Sequence, residues 1–236
     1  MMANPEPGPS GRGAHILLHP VAVRLAHWTF ALATVLLIGS GWRIHNFSGF
    51  LGFVEVPIWM TIGGSFEGSQ RVHGEIGLAG ALLWHFAAMW LLFASLVFYL
   101  AWGVVSGHFG RRFLPIRRAA VLRDIGDFLG GRLAHEIGAR NAIQKLLYVL
   151  AVLGMAVMVS SGFVLWKPTQ FQRLAWPLGG YVGARYIHIA GMVGLVLFTA
   201  VHVLLVALVP KTLPPMITGR ADAAAVPPGT LQGDLR

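Results

Sequence analysis

The sequence predicts an all-α integral membrane protein, a bundle of four transmembrane helices. Three observations lead there. The chain of 236 residues is 56% hydrophobic and only 11% charged, whereas an average soluble domain is about one-quarter charged. Its mean hydropathy is +0.66. Four apolar runs, at residues 25–42, 76–105, 146–166 and 186–209, each reach or approach the ~20 residues that cross a bilayer as a helix. These runs show no strand-like alternation, and a backbone in lipid must satisfy its own polar groups, which favours helices or closed barrels.

The elements follow in order. Residues 1–20 form an N-terminal tail rich in Pro and Gly; without an A-x-A pattern before the first apolar run they do not read as a signal peptide. The membrane domain spans 21–210, with helices at about 24–44, 73–106, 141–166 and 185–209. The loop between the first two helices contains "NFSGFLGFVEVPIWMTIGGSFEGS", which is apolar for a loop. It either lies on the membrane surface, contacts a partner, or folds over the top of the bundle. Within the loop 107–140, "RDIGDFLGG" has the pattern of one short amphipathic helix. Residues 211–236, with their Pro, Gly and Ala content, read as a disordered tail.

The net charge of +9 invites a nucleic-acid reading, but the distribution of charge argues for topology instead. Twelve lysines and arginines fall on the side of the two tails and the 107–140 loop, against four on the other side. The positive-inside rule then puts both termini in the cytoplasm and sets the basic patch against anionic headgroups. Nucleic acid is not an expected partner. Cysteine is absent, which excludes thiolate metal sites, iron–sulfur clusters and haem attached through C-x-x-C-H.

Histidines carry the chemistry. His188 and His202 bracket an apolar stretch of the last helix, "HIAGMVGLVLFTAVH". Fourteen residues at 100° each fall about 40° short of four turns, so both point to one face, about 21 Å apart along the axis. They cannot share one metal ion, but each can hold one of two cofactors at different depths. Neutral imidazole is a good axial ligand of haem, and an apolar bundle suits the porphyrin. Depth matching supplies the second ligands: His73 opens the second helix on the outer side, level with His188, and His27 opens the first helix on the inner side, level with His202. The expected architecture is therefore a four-helix bundle enclosing two haem b groups, ligated by His73/His188 and His27/His202. His85 is the main competitor and could replace His27, lying mid-helix about 18 Å below His73; being about 120° away from His73 around the helix, it is expected to face elsewhere. His45 sits at the outer end of the first helix, and His15, His19, His108 and His135 are expected to be solvated. The plain alternative for any membrane histidine is a hydrogen bond to a neighbouring helix.

Arg24, Arg71 and Arg185 precede His27, His73 and His188 by two or three residues. Each is a candidate partner for a haem propionate, and each serves equally as a snorkelling interfacial arginine. Gly77, Gly80, Gly191 and Gly194 give room for a flat ring or for helix packing. A different class of function, an intramembrane histidine transporter for metal ions or protons, lacks acidic residues within the membrane; only Glu75 comes near. A bare anchor leaves the paired histidines unexplained.

"RLAHW", "RVHGEIG" and "HIAGM…VH" resemble the four-helix di-haem b-type cytochrome subunits of membrane-bound bacterial oxidoreductases. These include the formate dehydrogenase gamma subunit, the nickel–iron hydrogenase cytochrome b and the thiosulfate-reductase cytochrome b. The resemblance covers about residues 20–210. It implies haem ligation by His27, His73, His188 and His202, and a subunit of the bacterial inner membrane that is not catalytic on a soluble substrate by itself. It implies electron transfer in a respiratory chain between a periplasmic oxidoreductase subunit, a molybdenum enzyme among the candidates, and ubiquinone or menaquinone. "RNAIQKLLYVLAVLGMAVMVSSGFVLW" is similar to the third helix of the formate dehydrogenase subunit, and this implies a quinone pocket at Asn141, with Gln144 nearby. An amide there can donate a hydrogen bond to a quinone carbonyl; it can equally cap the helix. "YIHI" stands where the hydrogenase cytochromes tend to carry two adjacent histidines, which makes hydrogenase the less favoured partner.

Overall fold

The computed structural model describes residues 15–48, 54–63, 78–112, 116–130 and 141–222. Four long helices dominate it: α1 (Val21–Ser48), α2 (Leu78–Val105), α5 (Ala142–Trp166) and α7 (Gly180–Leu208). All four are long and apolar enough to cross a membrane. Between α2 and α5 lie the short α3 (His108–Arg112) and the amphipathic α4 (Arg118–Leu129), which covers the "RDIGDFL" segment. Between α5 and α7 lie α6 (Gln172–Ala175) and a 3-10 turn, Trp176–Leu178. The chain crosses four times, so both tails, α3 and α4 share one end of the bundle, called here the terminal end. The 54–63 segment and α6 share the far end.

Local physics accounts for each helix. α1 follows Pro20, whose carbonyl accepts from Arg24 N at 3.2 Å to open the first turn. Its polar residues are folded back onto the helix: Thr29 Oγ1 donates to Leu25 O at 2.9 Å and Ser40 Oγ to Leu36 O at 2.6 Å, which hides hydroxyls from lipid. α5 starts with a capping box in which the Asn141 side chain accepts from the backbone of Gln144, and Gln144 Oε1 accepts from Asn141 N at 3.2 Å. Asp124 of α4 accepts from Ile143 N at 3.1 Å, placing a carboxylate where the first-turn amides of α5 are unpaired.

Packing is uneven. α1 lies along α2, and α5 along α7. The apolar core joins the first pair to α5 through Ala33, Met89, Leu92, Leu96, Met155, Val159 and Phe163. Edge-to-face rings, Trp90 and Phe93 of α2 against Phe163 of α5, reinforce that seam. α7 stands apart. Ala184 is its one buried residue among those described, and its backbone approaches α1 and α2 at few points.

Both ends of the bundle are closed by short segments. At the far end residues 54–63 of the apolar loop return onto α1. Ile62 N donates to Gly39 O at 3.0 Å, the Asn46 amide exchanges two hydrogen bonds with Val56 (2.7 and 3.0 Å), and His45 Nε2 lies 3.2 Å from Val54 O. Trp59 and Trp176 remain 83% and 87% exposed at this end, where aromatic side chains suit a membrane–water interface. At the terminal end β1 (His15–Leu17) pairs antiparallel with β2 (Arg220–Asp222). Between them α8 (Leu213–Thr218) is held on α1, with Arg24 Nη1 donating to Ile217 O at 2.6 Å and Trp28 Nε1 to Met216 O at 3.2 Å.

Several expectations change. α1 runs from 21 to 48 rather than 24–44, and α7 begins at Gly180 rather than 185. The tail expected to be disordered from 211 is structured as far as Asp222, because Pro214 and Pro215 start α8 and strand pairing with β1 finishes the segment; residues 223–236 and 1–14 lie outside the described residues. His108, expected to be solvated, is buried against Trp102 and Tyr99. Residues 73–77, proposed to open the second helix, lie outside the described residues.

Gly219 ends α8 at φ +83°, and a Cβ there would come 2.9 Å from His19 O and 3.1 Å from Arg24 Nε. Gly219→Ala should therefore cost about 1–2 kcal/mol and open the terminal seam. Limited proteolysis of the membrane-bound chain should clip the C-terminal segment faster than in the parent; an equal rate would show that the seam contributes no stability.

Candidate functional site

Four imidazoles cross the gap between α7 and the α1–α2 pair. At the terminal end the rings of His27 (α1) and His202 (α7) have centroids 6.1 Å apart, at 65° to one another. Toward the far end the rings of His85 (α2) and His188 (α7) have centroids 6.3 Å apart, also at 65°. The two pairs are separated by fourteen residues of α7, about 21 Å along its axis.

This spacing is that of two ligands on one metal. A metal–imidazole bond is about 2 Å and the ring centre lies roughly 1 Å beyond the nitrogen, so two imidazoles in line through one ion have centres about 6 Å apart. No group of three or more His, Asp or Glu side chains converges among the described residues. Two imidazoles do not complete a metal's coordination shell, so the donor set fits an ion whose remaining positions are held by a non-protein ligand, as in haem. The surroundings fit as well. α7 is apolar around nearly its whole circumference, and among the long helices it packs closely on α5, so the histidine rings lie in apolar surroundings.

Cationic groups complete the setting. Arg24, one turn before His27, has a buried Nε without a partner among the described residues, and so does Arg43, one turn after Ser40. Arg43 Nη1 donates to Thr61 Oγ1 at 3.3 Å. Each bundle end thus has, among the described residues, a guanidinium with an unused donor. Arg185 lies on α7 three residues before His188; Arg71 is outside the described residues.

His73, assigned from its depth as the partner of His188, also lies outside the described residues. The ring that faces His188 is that of His85, expected to face elsewhere. The depth argument misplaced the start of the fourth helix. With α7 beginning at Gly180, His188 is about 12 Å into the helix rather than at its mouth, and His85 is about 10 Å into α2. Asn141 and Gln144 sit at the terminal end, where the capping box engages their oxygens.

Two serines were not singled out from sequence. Ser40 Oγ lies 3.0 Å from His85 Nδ1 and Ser161 Oγ lies 2.9 Å from His188 Nδ1. Their signal is a repeated pattern in two membrane helices, Ser40-Gly41-Trp42 in α1 and Ser161-Gly162-Phe163 in α5.

The prokaryotic cytochrome b561 family matches residues 18–219. The chain is 43% identical over 203 residues to a putative protein-methionine-sulfoxide reductase subunit, YedZ1, of Azospira oryzae (strain ATCC BAA-33 / DSM 13638 / PS), covering 86% of this chain and 96% of the relative. With four membrane-spanning helices and facing imidazoles between them, the chain belongs to the prokaryotic cytochrome b561 family, as an integral membrane protein of the b-type haem class.

Proposed function

We propose that this chain is the electron-transfer subunit of a bacterial inner-membrane oxidoreductase, binding two haem b groups stacked across the bilayer. The observation that carries the reading is the pair of facing imidazoles at each of two depths on one face of α7. His27 and His202 hold the iron nearer the terminal end, and His85 and His188 hold the other. His73 is the competing ligand for the second site. Arg24 and Arg43 present donors to propionates, and the apolar helices exclude water. Haem bound at these positions supplies reversible one-electron chemistry. With the cytoplasmic side at the terminal end, the route runs between a periplasmic partner at the far end and a carrier at the terminal end. The similarity to a putative protein-methionine-sulfoxide reductase subunit favours a reductase of that kind as the soluble partner.

A membrane quinone is proposed as the carrier at the terminal end, and Asn141 is the residue proposed to meet it. The capping box draws on the side-chain oxygens of Asn141 and Gln144, whereas a quinone carbonyl would take the amide N–H end.

Three experiments test the proposal. A pyridine haemochrome assay on the purified chain should return two haems. His85→Ala and His188→Ala should each leave one, and His27→Ala should remove the other. Loss of a haem in His73→Ala with full retention in His85→Ala would reassign the far-end ligand, and no haem in the parent would reject the function. For orientation, a reporter fused after Arg236 should behave as cytoplasmic, since the basic residues gather at that end; a periplasmic signal reverses the route. For the quinone, Asn141→Ser keeps a capping oxygen and removes the amide donor. Haem oxidation by a quinone analogue should slow roughly tenfold, the loss of one hydrogen bond of about 1–2 kcal/mol, with both haems still reducible by dithionite. An unchanged rate would move the quinone elsewhere.

A further inference from the structure

The two histidines toward the far end are held by matching devices on different helices. Ser40 and Ser161 are both 0% exposed. Each places its Oγ on the Nδ1 of a histidine from the neighbouring helix, 3.0 Å to His85 and 2.9 Å to His188. The glycine that follows each serine lies against the same ring. A Cβ at Gly41 would sit 3.5 Å from His85 Cε1, and one at Gly162 would sit 3.4 Å from His188 Cε1. Each imidazole is thus seated on a Ser-Gly step, with the backbone below it and a hydroxyl at one nitrogen.

The hydroxyl geometry gives these contacts a direction. A serine hydroxyl has one proton and two acceptor lone pairs. Ser40 Oγ lies 2.6 Å from Leu36 O, and Ser161 Oγ lies 2.8 Å from Val157 O, so each proton has an acceptor one turn back on its own helix. The lone pairs are then available to an Nδ1–H. A neutral imidazole protonated at Nδ1 carries its metal-binding lone pair on Nε2. Among the described residues neither His27 nor His202 has a hydrogen-bond partner; their ring contacts are to one another, Trp28 and Phe198. The two pairs therefore share a spacing but differ in how their rings are held.

We infer that Ser40 and Ser161 are positioning residues that fix His85 and His188 as Nε2 ligands and strengthen them as donors by accepting from Nδ1–H. A ligand hydrogen-bonded in this way is more basic and favours the ferric over the ferrous state, so the serines lower the reduction potential of that site alone. The inference rests on the proposed haem ligation by His85 and His188.

Threonine and valine have nearly the same shape and differ by the hydroxyl, which separates hydrogen bonding from packing. In the full chain purified with its haem, Ser161→Thr and Ser40→Thr should titrate at the parental potential. Ser161→Val and Ser40→Val should raise the potential of one haem, increasing its reduced-to-oxidised ratio at a fixed ambient potential by about three- to tenfold. Tenfold corresponds to about 59 mV for a one-electron couple. The other haem should not move. Identical titrations for Thr and Val, or equal shifts of both haems, overturn the inference while leaving the haem assignment intact; a parent without haem overturns both. Should the larger side chains prevent folding, Ser161→Ala decides, since an unshifted potential there also overturns the role.

Discussion

The gap between α7 and the α1–α2 pair, crossed at two depths by facing imidazoles, is the constraint on which the rest of the bundle depends. In lipid, helices gain little from burying apolar surface against one another, and association rests on close packing of small residues and on polar contacts. This chain uses both within each half. Ser40 of α1 meets His85 of α2, Ser161 of α5 meets His188 of α7, and the adjacent glycines let the rings lie against backbone. The halves then meet through the apolar core of α1, α2 and α5, while the backbone of α7 approaches α1 and α2 at few points. Every histidine pair takes one ring from each half, so a group ligated by both rings joins the halves directly.

Short segments of the chain lie across both ends of the bundle. At the far end residues 54–63 return along α1 as deep as Gly39, which puts backbone within one turn of Ser40. At the terminal end the β1–β2 ribbon and α8 strap the last helix to the first. Each closure involves an arginine of α1 that retains a buried, unused Nε. A buried donor without a partner is costly, and an anionic substituent reaching either one would satisfy it. The same arginines that tie down the closing segments are therefore suited to meet the polar edge of a mostly apolar ligand.

The capping box at Asn141 shows how one short motif can serve two ends. Its oxygens satisfy the first amides of α5, with Asp124 of α4 adding a carboxylate at Ile143. The start of α5 is thereby fixed relative to α4 at the terminal end, where the proposed electron carrier would dock. An N-cap residue with an amide rather than a hydroxyl adds a donor to a position that needs only an acceptor.

Composition and periodicity by themselves determined the class, the count of membrane helices, the amphipathic α4 and the common face of His188 and His202. All of these are properties of a single helix or of one hydrophobic run, set by 3.6 residues per turn and by the thickness of a bilayer. His27 and His202 could be matched in depth for the same reason, since both lie near helix ends that the apolar pattern marks. Tertiary structure decided the rest. That His85 faces His188 depends on where α7 starts, five residues before its apolar run suggests, and on how α2 is rotated in the bundle. The serine contacts join residues 45 and 27 positions apart, and the fold of the apolar loop onto Gly39 joins 62 to 39. No local pattern encodes such neighbours, because helix rotation and depth are set jointly by every side chain at the interfaces, and a sequence read one helix at a time contains only the faces and not their partners.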